Sequence, residues 1–218
     1  YKNTVTALPS SNKSIETTYN GATILTQVGQ PVGLFYGYKS NGVYATSAEA
    51  QADGHYILKQ NGDRVYFEAG DIRFTDFDHN GLIDEADRTI IGNPNPDIYG
   101  NLFTTITYKN LSLHAVMNYS LGNDVYNYQR SLLEGGSLFL NQTTAMQNRW
   151  TTENQQTDIP RVSYTDPMGN ARFSDRWIED GSYLRLSSVT LSWHLPIQST
   201  YLQGITIWGN AQNLFTTT

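Results

Sequence analysis

Tyr99 to Tyr119 reads YGNLFTTITYKNLSLHAVMNY, and this stretch decides the fold. In its first arm Leu102, Thr104, Ile106 and Tyr108 fall on one face, with Asn101, Phe103, Thr105 and Thr107 on the other. After Lys109-Asn110, Leu111, Leu113, Ala115, Met117 and Tyr119 share a face, opposed by Ser112, His114, Val116, Asn118 and Ser120. A period of two is the mark of a strand, and a two-residue link joins two strands into a hairpin. Each arm is about ten residues, the length of a tilted strand that crosses a membrane. A lysine or arginine on the lipid face of such a strand costs about 2–4 kcal/mol at the bilayer midplane. The apolar face of the second arm carries no charge, and its ionisable neighbour His114 lies on the polar face.

Two further strands follow the same rule. Tyr183 to Leu195 places Val189, Leu191, Trp193 and Leu195 opposite Ser188, Thr190, Ser192 and His194. Ile205 to Asn213 places Ile205, Ile207, Gly209 and Ala211 opposite Thr206, Trp208, Asn210 and Gln212. The connections alternate between long and short, as in membrane barrels, whose short turns lie on the periplasmic side and long loops outside. The expected fold class is therefore all-β: a fragment of an antiparallel transmembrane β-barrel with long extracellular loops and short helical segments. Residues 99–108, 111–120, 183–195 and 205–215 are the expected barrel strands. Residues 9–97 and 121–181 are the expected outer loops, and Lys109-Asn110 and Pro196–Gly204 the periplasmic turns.

Elsewhere the pattern is weaker. Tyr1 to Leu8 reads as the end of a strand, Pro9 to Asn20 as polar loop, Ala22 to Val28 as a short strand and Lys39 to Gly42 as a turn. Ser47 to Ala52 predicts a short helix capped by Ser47. Asp53-Gly54 and Asn61-Gly62 bracket a short strand, Tyr56 to Leu58. Asn141 to Trp150 predicts a helix within the long excursion. The chain opens without Met and stops in the strand-like Asn213 to Thr218, so a longer parent protein is expected.

Composition narrows the classes. Charged residues make up 16% of the 218, against roughly 25% in a typical soluble domain. The 15 tyrosines, 8 phenylalanines and 4 tryptophans suit pleated, half-buried surfaces. A net charge of −6 argues against nucleic acid as a partner. Without cysteine there is no disulfide, thiolate metal site or cysteine nucleophile. No apolar run approaches the roughly 18 residues of a membrane helix, but alternating strands need none.

Before the hairpin lies an acidic loop, Asp71 to Asp87, reading DIRFTDFDHNGLIDEAD. Calcium takes six to eight oxygen ligands, and a twelve-residue loop supplies them from places 1, 3, 5, 7, 9 and 12, with glycine at 6 for the sharp turn. Here these are Asp76, Asp78, Asn80, the Leu82 carbonyl, Asp84 and Asp87, around Gly81. Asp at place 12 has a shorter reach than the usual Glu, as in dockerin-type calcium loops. Asp71 is a further candidate ligand. The bland alternative is a solvated turn rich in Asp and Asn. With no paired helices to move, the expected role is a structural calcium staple rather than a sensor.

Catalytic constellations are not evident. Asp84 and Glu85 are adjacent and would point apart in a strand. His55, His79, His114 and His194 sit in no ligand spacing, and no nucleophile elbow is visible. Aromatic residues in the excursions, Phe35, Tyr36, Tyr38, Tyr126, Tyr128 and Trp150, offer stacking faces for sugars or peptides, but loop packing is the favoured reading of any single one. Trp193 and Trp208 suit a barrel wall. The chain is not expected to be an enzyme.

Several segments occur in the order found in a known family: Gly29-Gln-Pro-Val-Gly-Leu-Phe-Tyr-Gly-Tyr38, the acidic loop with Ile91-Gly-Asn-Pro-Asn-Pro96, Gly122-Asn-Asp-Val-Tyr126, Asn148-Arg-Trp150, Asp158-Ile-Pro-Arg161, Ser174 to Arg185, and Gln212-Asn-Leu-Phe215. Together they resemble the C-terminal barrel portion of the SusC/RagA family of TonB-linked outer-membrane proteins. The resemblance implies a large plugged barrel of about 22 strands. It implies import of oligosaccharides or peptides across the outer membrane, a SusD-like surface lipoprotein as partner, and TonB coupling through N-terminal regions absent here. His79 and Asn80 depart slightly from the commoner form of the family's acidic motif. The alternatives are a soluble calcium-stabilised β-sandwich that binds carbohydrate, and a secreted β-rich hydrolase. In a sandwich the face of Leu111, Leu113, Ala115 and Met117 would be buried beneath a second sheet.

Overall fold

The computed structural model describes residues 3–9, 13–197 and 199–218. In chain order the strands are β1 (Ser14–Tyr19), β2 (Ala22–Gln27), β3 (Leu34–Tyr38), β4 (Ser40–Val43), β5 (Tyr56–Leu58), β6 (Arg64–Tyr66), β7 (Ile72–Phe74), β8 (Arg88–Gly92), β9 (Ile98–Tyr108), β10 (Leu111–Leu121), β11 (Asp124–Tyr126), β12 (Ile178–Asp180), β13 (Tyr183–Pro196) and β14 (Gly204–Thr217). Two short helices, α1 (Ser47–Asp53) and α2 (Tyr128–Glu134), lie among them. The chain divides into two compact units, one holding Asn95–Asp124 and Asp180–Thr218, the other Asn3–Pro94 and Val125–Glu179.

The first unit is an antiparallel sheet in the order β14-β13-β10-β9. Its register sets Leu111 opposite both Tyr108 and Trp193, Leu113 opposite Ile106 and Leu191, and Ala115 opposite Thr104 and Val189. Ile207 and Ala211 continue these rows from Trp193 and Val189. One apolar face thus runs unbroken across all four strands. Strict alternation would carry Arg185 onto this face, because it shares parity with Val189. A register shift around Ser187 prevents it: Met117 pairs with Leu186, Asn118 with Arg185 and Tyr119 with Leu184. The bulge re-aims the strand end, so Leu184 and Leu186 join the apolar rows and Arg185 leaves them.

The opposite face is a ladder of side-chain hydrogen bonds. Thr105 meets His114 Nδ1 at 2.9 Å, Asn118 donates to Asn101 at 2.7 Å, and Asn210 donates to Thr190 at 2.7 Å. No described residue of this unit is buried, whereas a β-sandwich would bury the apolar face beneath a second sheet.

The second unit has short strands but a core of its own. Its main sheet runs β1-β2-β3-β8, and β4 pairs with β7 and β5 with β6. Tyr44, Phe67, Ile72, Phe74, Ile83 and Met168 pack together as a buried cluster, and Trp177 is fully enclosed elsewhere in the unit. Asp71, also fully buried, clasps the unit: Arg161 donates to both of its oxygens at 2.9 and 3.0 Å, Asn170 donates at 2.9 Å and the Glu68 amide at 2.9 Å. Asn170 in turn accepts from the Ile72 amide at 2.8 Å. Gly70 beside it has φ +86°, and a Cβ there would lie 2.6 Å from the Trp150 ring.

Several local expectations are corrected. Residues 14–19 are strand β1 rather than loop, because a turn at Asn20-Gly21 folds them back onto β2. Residues 3–8 form no strand, although Val5 exchanges backbone hydrogen bonds with Gly29 and Gln30; Tyr1 and Lys2 lie outside the described residues. Ser40–Val43 is strand, with a register shift and Gly42 at φ +78°. The cap of α1 is Thr46, whose hydroxyl accepts from the Glu49 amide. Asn141 to Trp150 holds only a 3₁₀ turn at Thr144–Asn148, while the helix of the excursion, α2, is capped by Asn127. Asn61-Gly62, Tyr56–Leu58 and the Lys109-Asn110 turn stand as expected.

Candidate functional site

The acidic loop hangs between β7 and β8. Two left-handed residues shape it, His79 at φ +59° and Gly81 at φ +80°. Behind it, Tyr56 of β5 donates its amide to the Gly81 carbonyl at 3.0 Å and accepts from the Ile83 amide at 2.9 Å. The Ile83 side chain is buried in the core cluster, so the loop is anchored from behind.

Asp76, Asp78 and Asp87 each bring a carboxylate oxygen to one place, all within 4.8 Å of one another. Asp87 is fully buried and accepts from the amides of Phe77 at 2.8 Å and Asp84 at 3.0 Å. Asp76 is 8% exposed; its Oδ2 accepts from the Gly81 amide at 2.7 Å, while its Oδ1 is buried with no hydrogen-bond partner among the described residues. Asn80 accepts from the Leu82 amide at 2.6 Å and donates to Asp78 at 2.8 Å. Asp84 stands outside the cluster: it caps the turn Glu85–Asp87, accepting from the Ala86 amide at 2.7 Å. Asp71 is no ligand, because Arg161 and Asn170 occupy both its oxygens.

The carboxylates of the cluster act on one another. Burial pushes the Asp76 carboxyl up, but the Gly81 amide, Asp78 and the amides of His79 and Asn80 outweigh it and hold the carboxyl below its usual range. Asp78 is pushed up, by desolvation first, with the Asp76 and Asp87 carboxylates adding to it against the Asn80 amide. Carboxylates this close cannot all ionise freely without a cation. A set of hard oxygens with one buried, unpaired lone-pair site is the chemistry calcium takes up.

Sequence reasoning missed what holds this loop. His55 Nε2 lies 4.0 Å from Asp76, with its Nδ1 against the Tyr44 hydroxyl at 3.1 Å. Tyr56, Arg161 and Asn170 also support it from outside the loop, and none carries a local signal.

A sheet of four long antiparallel strands with one apolar and one hydrogen-bonded polar face, open here at both edges, is a segment of a membrane β-barrel. No helix among the described residues is long and apolar enough to cross a membrane. No protein-family model matches the chain. It is similar to TonB-dependent receptor P3 of Formosa agariphila, 35% identical over 193 residues, covering 87% of this chain and 18% of that protein. TonB-dependent receptor P26 of the same organism is 29% identical over 178 residues, covering 82% and 17%. In structure it is similar to the RagAB peptide importer in its closed-closed state, with TM-score 0.72 and 23% identity over 99% of this chain and 22% of that one. The open-open state gives a TM-score of 0.70 at 22% identity. At such identity the structural likeness speaks to the fold. The chain is thus related to the TonB-dependent receptors over most of its length, and like them it resides in the outer membrane. It spans about a fifth of the length of the curated relatives it matches.

Proposed function

We propose that the chain forms part of a TonB-dependent importer that carries oligosaccharides or peptides across the outer membrane together with a SusD-like surface lipoprotein. The carrying observation is the uncharged apolar face shared by β9, β10, β13 and β14, which suits lipid and is not buried among the described residues. The relatives are receptors, and RagAB is a peptide importer; neither is an enzyme by name. On this reading residues 99–108, 111–120, 183–195 and 205–215 cross the membrane, and residues 9–97 and 121–181 stand outside. The test is uptake. Cells lacking the full-length receptor should lose import of one class of oligosaccharide or peptide, and the receptor should co-purify with a surface lipoprotein. Unchanged uptake of every sugar and peptide digest offered would sink the reading.

The acidic loop serves in this reading as a structural calcium site. Asp76, Asp78 and Asp87 would hold the ion, with Asn80 and the Leu82 carbonyl completing the set and Asp84 acting as the turn's cap. The unpaired Asp76 Oδ1 supports it. Calcium titrated into the chelated full-length receptor should raise its melting temperature, and Asp76→Ala should abolish the rise; equal behaviour of the two proteins would remove the site.

A further inference from the structure

Outside the acidic loop, a cavity of about 240 Å³ in the second unit, the loop unit, is lined by Ser40, Gly42, Arg130, Asp158, Ile159 and Arg176. Most charged groups around it are already engaged. Arg130 is bound to Glu134 at 2.9 Å and Glu179 at 3.0 Å. Glu134 also accepts from the Thr143 hydroxyl, and Asp175 accepts from the amide and hydroxyl of Ser40.

Two ions on the cavity wall are not engaged in this way. Arg176 has no carboxylate within 4 Å among the described residues; its guanidinium makes one long hydrogen bond, 3.4 Å, to the Asn170 carbonyl and lies 4.6 Å from the centre of the Trp177 ring. Burial, helped by Arg130, pulls this guanidinium down to about 10 against the opposing pull of Glu134, Asp175 and Asp158, so it remains charged at neutral pH. Asp158 is exposed, feels Arg176 through space, and makes neither a hydrogen bond nor an ion pair within 4 Å among the described residues. Opposite charges that face one cavity without closing on each other leave room for a group between them. The Trp177 ring restrains the guanidinium, whose planar fork of N–H donors suits a carboxylate.

We propose that this cavity binds a small zwitterion of the α-amino acid or dipeptide class, its carboxylate on Arg176 and its ammonium on Asp158. The volume lies below the roughly 300–1,000 Å³ of sites for larger organic ligands, which limits the occupant to a small one. The inference concerns binding alone and does not depend on what the receptor transports.

The experiment is calorimetric titration of the purified full-length receptor with glycylglycine, N-acetylglycylglycine and glycinamide. Glycylglycine should bind, and Arg176→Gln should weaken it by roughly tenfold to a hundredfold, the value of a charge-assisted hydrogen bond. N-acetylglycylglycine, lacking the ammonium, should bind more weakly to the parent receptor and equally to Asp158→Asn. Glycinamide, lacking the carboxylate, should give no measurable binding. If Arg176→Gln fails to fold, Asp158→Asn on the exposed side carries the test: it should weaken glycylglycine and leave N-acetylglycylglycine unchanged. The same glycylglycine affinity in the parent receptor and these variants, or no heat with the parent receptor, overturns the proposal.

Discussion

In the four-stranded sheet Ile106, Leu111 and Leu191 stand exposed, whereas in the loop unit Ile72, Phe74 and Trp177 are sealed from solvent. Both regions are β-rich, yet their apolar residues answer to different surroundings. The sheet offers its apolar rows outward, as a wall meant for lipid does, and satisfies its polar face by cross-strand side-chain bonds. The loop unit turns its apolar residues inward and adds buried polar groups, each of which must be paired. The loop unit is thus not slack: it has its own core and its own buried ion pair.

The largest expected effect tests whether that core stands or falls with its clasp. Asp71→Ala removes the acceptor of Arg161, Asn170 and the Glu68 amide at once. Breaking a buried pair by removing one partner costs about 3–5 kcal/mol. Hydrogen exchange on the full-length receptor should show amides around Ile72 and Phe74 losing protection while those of β10 and β13 keep theirs. Equal loss in both regions would mean that the two do not differ as described.

Next in size is a test of the other side of the comparison. Ala115→Arg puts a cation in the middle of the apolar rows, and His114→Arg puts the same group on the polar face one residue away. In lipid the first should cost about 2–4 kcal/mol in reversible folding into liposomes, and the second should stay near ±0.5 kcal/mol. Similar costs at both positions would show that the apolar face does not meet the bilayer.

The difference between the regions also explains what could be read from the sequence. The four long strands were legible because every second residue meets the same medium over ten or more positions, and even the Lys109-Asn110 turn followed from the two arms. What alternation could not show is the bulge at Ser187, which depends on pairing with two neighbours and decides the side on which Arg185 emerges. The acidic loop was legible for a related reason: its ligand spacing is local. Of the residues expected there, Asp76, Asp78 and Asp87 do converge, while Asp84 is drawn off as a cap and Asp71 belongs to the clasp. The clasp was invisible because Arg161 and Asn170 lie 90 and 99 residues from Asp71. Strand β1 and helix α2 were missed because each is short, and β1 is exposed along its whole length, leaving no periodic pattern.

A smaller effect separates the units by their response to chelation. A bound ion stabilises by about 2.7 kcal/mol when present at a hundred times its dissociation constant. Removing calcium from the full-length receptor should therefore raise exchange in β7, the acidic loop and β8 without altering β9 or β10. A sheet that loosens along with the loop, or a loop indifferent to chelator, would break this part of the contrast.

The smallest expected effect asks how finely the loop unit depends on its own local devices. Thr46 caps α1 by accepting from the Glu49 amide at 3.3 Å, and Glu49 reaches back to accept from the Ala45 amide at 3.0 Å. Ala50, one turn into this helix, is buried in the same cluster as Ile72 and Phe74. Losing a threonine cap costs about 1 kcal/mol. Because the helix is only seven residues long, little else within it holds its first turn, so Thr46→Ala should fray α1 and pass a fraction of that cost to the cluster through Ala50. Thr46→Ser keeps the acceptor oxygen and should restore the parent value. Exchange at Glu49 and Ala50 measures both; a serine variant as frayed as the alanine one would assign the loss to packing of the threonine methyl and not to the cap.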